Sequence, residues 1–387
     1  MRILHVLGAL NRGGAETWLV QVLRHIDRTK YQMDFVVHTG EAGRYDEEVK
    51  ALGARVIPCL SPAHPIQYAY RFRRILREYG PYDCVHSHVH HFSGFVLMLA
   101  ATMGVPARIA QSHNDTRGVD GAASPARQAY LNLMLRLMQR YATKGIGVSE
   151  KAAASLFPRS DPRWETCLLG IDLAPFAEEI DRGRVRATLG IAEDAFVVGH
   201  VGRFEEQKNH RFLVEIARKL CPTAPEARFL LVGDGPLRPE IEGLVQAAGL
   251  RDRFIFAGVR SDVAGLMRGA MDCFVFPSLY EGLGLVALEA QAAGLKCLVS
   301  EQVPAEVEVV EGLIERMSLQ AKAAAWSGAL RELALSGCRP QRANPEKLMG
   351  RSIGASVEGL MRIYDSGARV TGSRPAGSGD AICRQMG

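Results

Sequence analysis

Two glutamates, Glu281 and Glu289, flank a segment that contains Gly282, Leu283 and Gly284. They follow the apolar run Cys273-Phe274-Val275-Phe276, which reads as a buried strand. The stretch from Leu285 to Ala293 reads as a helix that ends at Gly294. Glu281 is therefore expected in a strand-to-helix loop and Glu289 in the first turns of the helix. A carboxylate accepts two hydroxyl hydrogen bonds at once, so the pair suits vicinal diols such as those of sugars and riboses. In open α/β sheets ligands bind at the carboxyl ends of the strands, where this loop lies.

A cationic counterpart is Val201-Gly202-Arg203-Phe204-Glu205-Glu206-Gln207-Lys208-Asn209-His210, which follows a strand and opens a helix. Asn209 is expected to cap that helix. Arg203 supplies a bidentate fork and Lys208 a mobile point charge at a helix N-terminus, an anion-binding geometry suited to a diphosphate leaving group. By itself such a loop also fits a solvated charged surface; the glutamate pair in the same half favours the site.

Other segments carry weaker chemistry. Gly13 and Gly14, in Asn11-Arg12-Gly13-Gly14-Ala15-Glu16-Thr17, allow close backbone approach to a phosphate, although the spacing is not G-x-G-x-x-G and a plain turn fits as well. His113, in Ser112-His113-Asn114, sits at a strand end, where it is either structural or a donor to a sugar hydroxyl. Alternation along a strand puts His86, His88 and His90 on one face, but no carboxylate or cysteine completes a ligand set. These histidines are assigned to an acceptor pocket or to structure, with no metal. Gly233-Asp234-Gly235 reads first as a tight turn. Arg71-Phe72-Arg73-Arg74-Ile75-Leu76-Arg77 is a basic helical segment, solvated or resting on an anionic bilayer.

The elements that position these residues are short Val- and Ile-rich runs alternating with amphipathic stretches, the pattern of βαβ units and a parallel sheet. Strands are expected from Ile3, Asp34, Arg55, Cys84, Arg108, Gly145 and Glu165. After a polar interval from Glu178 to Asp194, a second series starts at Phe196, Arg228, Phe254, Cys273 and Lys296. The chain of 387 residues thus divides into two doubly wound units facing a cleft, 1–180 and 181–349. A closing helix over 350–366 is placed to pack back on the first unit, and 367–387 reads as a disordered tail. The net charge of +5 comes with no nucleic-acid motif. Eight scattered cysteines fit reduced buried thiols, and the short apolar run after Met1 fits a first strand better than a signal peptide. A cytoplasmic location follows as an expectation, peripheral at the inner face of the plasma membrane if the basic helix meets lipid.

As an ensemble, the Gly-Gly-Ala-Glu loop, Ser112-His113-Asn114, Arg203 with Lys208, and the Glu281/Glu289 pair resemble the retaining nucleotide-sugar glycosyltransferases of family 4, with the GT-B fold of two Rossmann-like domains. The phrasing over Leu4–Glu16, His86–His91 and Glu289–Val303 is similar to the branch that builds exopolysaccharide and capsule. The resemblance implies that Arg203 and Lys208 bind the donor diphosphate, with Gly13 and Gly14 near it. It implies that Glu289 holds the ribose and Glu281 the transferred sugar, beside Gly282, Leu283 and Gly284, and that His113 approaches the sugar from the first domain. His88, His90 and Asn114 fall on the acceptor side. It further implies a hexosyl donor, in the form of a UDP-sugar, and a saccharide or lipid-linked saccharide acceptor. The resemblance also implies attack on the same face without an enzyme nucleophile and without an obligatory metal or other cofactor, and no Asp-x-Asp occurs in the chain. The chain departs from the family pattern at Leu169-Gly170-Ile171-Asp172, at Leu283 and at Lys296. A nucleotide-sugar epimerase or phosphorylase on the same fold, and a non-catalytic nucleotide-sugar-binding partner, are the alternatives.

Overall fold

The computed structural model describes residues 1–11, 13–60, 63–121, 123–158, 161–341 and 345–369. Arg12 and the tail from 370 onward lie outside the described residues.

Thirteen strands form two all-parallel sheets among the described residues. The first holds β1 (Arg2–Leu7), β2 (Gln32–Val37), β3 (Val56–Pro58), β4 (Cys84–Ser87), β5 (Ala107–Ser112), β6 (Lys144–Gly147) and β7 (Trp164–Thr166), in the order β3-β2-β1-β4-β5-β6-β7. The second holds β8 (Phe196–Val201), β9 (Ala227–Val232), β10 (Phe254–Gly258), β11 (Cys273–Phe276), β12 (Lys296–Ser300) and β13 (Ile314–Met317), in the order β10-β9-β8-β11-β12-β13. Strand order reverses between β1 and β4 and again between β8 and β11. Each reversal opens a crevice at the carboxyl ends of those strands. The central strands are buried on both faces, which is why they read as mostly apolar runs, with His5, His86 and His200 among the buried exceptions.

After β7 the chain crosses to the second sheet at Gly170 and Ile171. There it runs beside its own later return, with Ile171 N–H donating to Arg351 O at 2.9 Å and Ile353 N–H to Ile171 O at 2.7 Å. A Cβ on Gly170 would lie 2.1 Å from the Ser352 carbonyl oxygen, so only glycine fits this crossing. The helix Ile353–Arg369 then packs on the helix Gly14–His25 of the first unit. Trp18 Nε1 donates to Ser356 Oγ at 2.9 Å, and Tyr31 Oη to Asp365 Oδ1 at 2.7 Å.

Some local expectations need correction. The polar interval from Glu178 contains a helix, Arg182–Thr188, capped by Asp181, whose side chain accepts from Arg184 N–H. Its buried face is ionic and so carries no apolar periodicity: Arg186 is sealed against the fully buried Asp272 at 2.7 Å, and Arg182 meets the same carboxylate. β13 was missed because Glu315 and Arg316 interrupt its apolar pattern. The closing helix runs to Arg369, past the expected end at 366. Asn209 does not cap through its side chain; the residue is left-handed (φ 55°) and its amide donates to Pro277 O at 3.1 Å. His90 does not continue the alternation of His86 and His88, because β4 ends at Ser87 and His90 opens a 3-10 turn at φ 49°.

Candidate active site

The loop after β8 and the loop after β11 are stitched together across the reversal of the second sheet. Leu279 N–H donates to Gln207 O at 2.8 Å, and Gln207 Nε2 to Tyr280 O at 2.9 Å. These bonds hold Lys208 against Glu281, with Nζ 2.6 Å from Oε1, and Lys208 also lies over the Phe276 ring at 4.8 Å. Glu281 is 5% exposed, so this pair is screened from water far more than a surface ion pair. Arg203 is more open and rests on Glu205 at 3.1 Å. Gly233 packs beneath this loop at φ 137°, and a Cβ there would lie 2.1 Å from Gly202 O, which accounts for the turn by backbone geometry.

Gly284, left-handed at φ 88°, starts the helix Leu285–Ala292 and places Glu289 in its second turn. Glu289 is half-buried, and its carboxylate forms no ion pair or hydrogen bond among the described residues. Burial without a partner pushes its pKa up to about 7. Since hydroxyl donors are accepted best by the ionised form, a ligand diol held by Glu289 would bind more tightly as pH rises through 7 and less tightly below it. Titration calorimetry of a nucleotide between pH 5.5 and 8.5 checks this; the pH dependence should flatten in Glu289→Gln. The sign for folding is opposite: a raised carboxyl favours the protonated fold, and that contribution is lost as pH rises through 7.

The first unit closes the site from the other side. Gly13 precedes the helix Gly14–His25, and nothing lies within 4 Å of a Cβ on Gly14, so its face is open. Glu16, one turn in, is half-buried; desolvation raises its pKa, opposed by its own backbone hydrogen bond and by the field of Arg203 across the cleft. His113 follows β5. Its carbonyl oxygen touches Gly282, where a Cβ would lie 1.6 Å away. Ser149 Oγ donates to Gly282 O at 2.5 Å, and Glu150 N–H to Glu306 Oε1 at 2.7 Å, so the two units meet directly at the loop after β11 and at Glu306.

The sequence-derived residues Arg203, Lys208, Glu281, Gly282 and His113 therefore gather at one place, with Gly13 and Gly14 facing them. Leu283 is buried and belongs to the core rather than lining open space. Asn114 lies beside His90, and its carbonyl accepts from Ser155 Oγ at 3.0 Å. His90 and Tyr280 line a cavity of 360 Å³ with Phe92, Asp120, Arg127 and Tyr130. His88 stands behind His113, hydrogen-bonded to it at 2.9 Å and to His5 at 3.0 Å. His5, His86 and His88 bring one ring nitrogen each within 4.8 Å of one another. His5 joins this cluster from β1, and sequence spacing carried no sign of it. Tyr280 and Ser149 were also missed, being ordinary residues until the units meet.

Residues 181–346 match the family model described as Glycosyl transferases group 1, and residues 13–169 match the model described as Glycosyl transferase 4-like domain. A Bacillus subtilis (strain 168) protein named "Putative glycosyltransferase EpsF" is 36% identical over 94% of this chain and 96% of its own. The chain belongs to this family of glycosyltransferases. An Escherichia coli protein named UDP-Gal:alpha-D-GlcNAc-diphosphoundecaprenol alpha-1,3-galactosyltransferase is 38% identical over 34% of this chain and 35% of its own. The transferase also shares its fold with Anabaena HepE, solved in complex with UDP, with a TM-score of 0.72 at 19% identity, covering 96% of this chain and 99% of that one. The paired parallel sheets are thus the GT-B arrangement expected from sequence.

Proposed function

We propose that this glycosyltransferase takes a hexosyl group from a UDP-sugar and passes it, with retention of configuration, to a saccharide or lipid-linked saccharide in surface polysaccharide assembly. The observation that carries this reading is the juxtaposition of a partnerless half-buried Glu289 with the Lys208–Glu281 pair and Arg203. Glu289 holds the ribose hydroxyls. Arg203 and Lys208 take the diphosphate, whose negative charge grows as the bond to the sugar breaks. Glu281 and the backbone around Gly282 to Gly284 hold the sugar, and His113 donates to it from the opposite unit. With Glu281 committed to Lys208, the leaving diphosphate is the base that takes the acceptor's proton, on the face it is vacating. No metal is needed, because two protein cations serve the diphosphate.

The UDP donor and lipid diphosphate acceptor are supported by the name of the E. coli relative, and UDP by the HepE complexes. Acceptor binding is assigned to the cavity shared by His90, Tyr130 and Tyr280, beside Asn114. A thermal-shift panel of nucleotide sugars, followed by NMR of the product's anomeric proton, tests the reading. UDP-sugars should raise the melting temperature and the product anomer should match the donor, with activity unaffected by excess chelator. An inverted product, or loss of activity restored only by metal, overturns it. Product formed without any saccharide acceptor would instead favour an epimerase or phosphorylase, and binding without turnover a non-catalytic partner.

No helix of the described residues is long and apolar enough to cross a membrane. The helix Pro65–Tyr79 exposes Ile66 (86%) and Tyr70 (71%) next to Arg73, Arg74 and Arg77, along a groove shared with Phe95 and Met98. This mixture suits an anionic bilayer surface, where apolar insertion and basic charge act together. Sedimentation with anionic vesicles should recover the protein at low salt and release it at high salt. Ile66→Ser combined with Arg73→Glu should abolish binding without altering turnover of a soluble acceptor.

A further inference from the structure

Behind His113 a line of polar rings runs through the interior of the first unit to the chain's closing helix. His113 Nε2 meets His88 Nδ1 at 2.9 Å, and His88 Nε2 meets His5 Nδ1 at 3.0 Å. His5 Nε2 meets Tyr364 Oη at 3.5 Å, the longest link, and Tyr364 Oη also meets His86 Nδ1 at 2.9 Å. His5, His86 and Tyr364 are fully buried. Desolvation pushes His5 and His113 down to about 3 and holds His86 and His88 well below the usual range, so every ring is neutral at physiological pH.

A neutral imidazole has one N–H and one lone pair. A chain of such rings therefore has only two self-consistent polarities, and setting one end sets the other. His86 Nε2 is buried and faces the side chain of Gln111, whose amide nitrogen and oxygen are both buried and otherwise unpaired among the described residues. A lone pair on Nε2 lets the Gln111 N–H donate to it, whereas an N–H there would leave that amide donor orphaned, and orphaned donors are the rarer defect. His86 then carries its proton on Nδ1 and donates to Tyr364. Tyr364 donates to His5, His5 to His88, and His88 to His113 Nε2. The proton of His113 is left on Nδ1, which has no partner among the described residues and is not among the sealed atoms.

We infer that Tyr364, His5 and His88 are positioning residues that lock His113 in the Nδ1–H tautomer, making it an obligate neutral hydrogen-bond donor toward the bound sugar. The inference rests on the proposed role of His113. It ties that role to the helix Ile353–Arg369, which reaches back from the far end of the chain. His113 cannot then act as a base on the acceptor, because its lone pair is occupied from behind.

The test uses the full chain labelled with ¹⁵N at the histidine rings. Long-range ¹H–¹⁵N correlation, with His113→Gln to assign the signal, should show a single Nδ1–H tautomer for His113. Tyr364→Phe removes one oxygen and keeps the ring packing. It should shift His113 to a tautomer mixture and lower kcat on the order of tenfold, with donor KM changed by less than about twofold. His5→Leu should behave likewise, whereas His5→Gln, which keeps one donor and one acceptor, should retain the tautomer. Melting curves confirm that each variant is folded. An Nε2–H tautomer in the wild type, an unchanged tautomer in Tyr364→Phe, or one transition-metal ion per chain bound at these histidines overturns the inference. The tautomer is read without any turnover, so a failure of the proposed reaction is seen separately.

Discussion

Arg203→Ala is expected to lower kcat/KM for transfer by roughly 10² to 10³-fold, with most of the loss in kcat. Arg203 is exposed enough to reach a ligand and, among the described residues, is tethered only to Glu205 on its own loop. Its removal leaves no buried charge behind and little disturbs the fold. On the proposed reading, what disappears is a bidentate donor to the leaving diphosphate, a contribution of about 3–4 kcal/mol in sites of this kind. Arg203→Lys restores the charge without the fork and should recover only part of the rate. Glu16 reports on the same interaction from across the cleft: without Arg203 its carboxyl loses a favourable field and should rise further. Steady-state kinetics with a UDP-sugar, together with an unchanged melting temperature, check the prediction. Wild-type turnover in Arg203→Ala would remove the diphosphate assignment.

Gly282→Ala is expected to be the most damaging conservative change, lowering kcat on the order of 10²-fold. The added methyl would sit 1.6 Å from the His113 carbonyl oxygen, a backbone atom that cannot rotate away. The loop after β11 and the end of β5 must therefore separate. That moves Glu281, adjacent in the chain, relative to His113, and weakens the Ser149 hydrogen bond to Gly282 O. Nucleotide binding should survive, because Arg203, Lys208 and Glu289 all belong to the second unit. Calorimetry with UDP alongside turnover of the UDP-sugar separates the two effects. Parallel loss of UDP affinity would mean that the damage lies in the loop itself rather than in closure.

Much of the fold was legible because its signals are local. The runs at β1, β8 and β11 are mostly apolar, broken by Arg2 and His5 in the first and His200 in the second, and the charged loops that follow them occur where a doubly wound sheet opens its crevice. The helix Arg182–Thr188 and β13 were not legible, since their burial depends on Asp272 and on a neighbouring strand rather than on their own periodicity. The extended alternation assumed for His86, His88 and His90 failed at the positive φ of His90.

The sequence by itself determined which side chains carry charge at the strand ends, and so the chemistry available to the cleft: two cations for a diphosphate and two carboxylates for diols. Tertiary structure alone decided how they are shared. Glu281 is neutralised by Lys208 from another loop, whereas Glu289 of the same motif is left partnerless, because burial and distance rather than residue type set those states. It also decided what stands behind His113. His5 and Tyr364 are at opposite ends of the chain, and only the return of the closing helix onto the first unit brings them within hydrogen-bonding distance. No periodicity or spacing encodes that contact, since it exists only once both ends have packed against the same sheet.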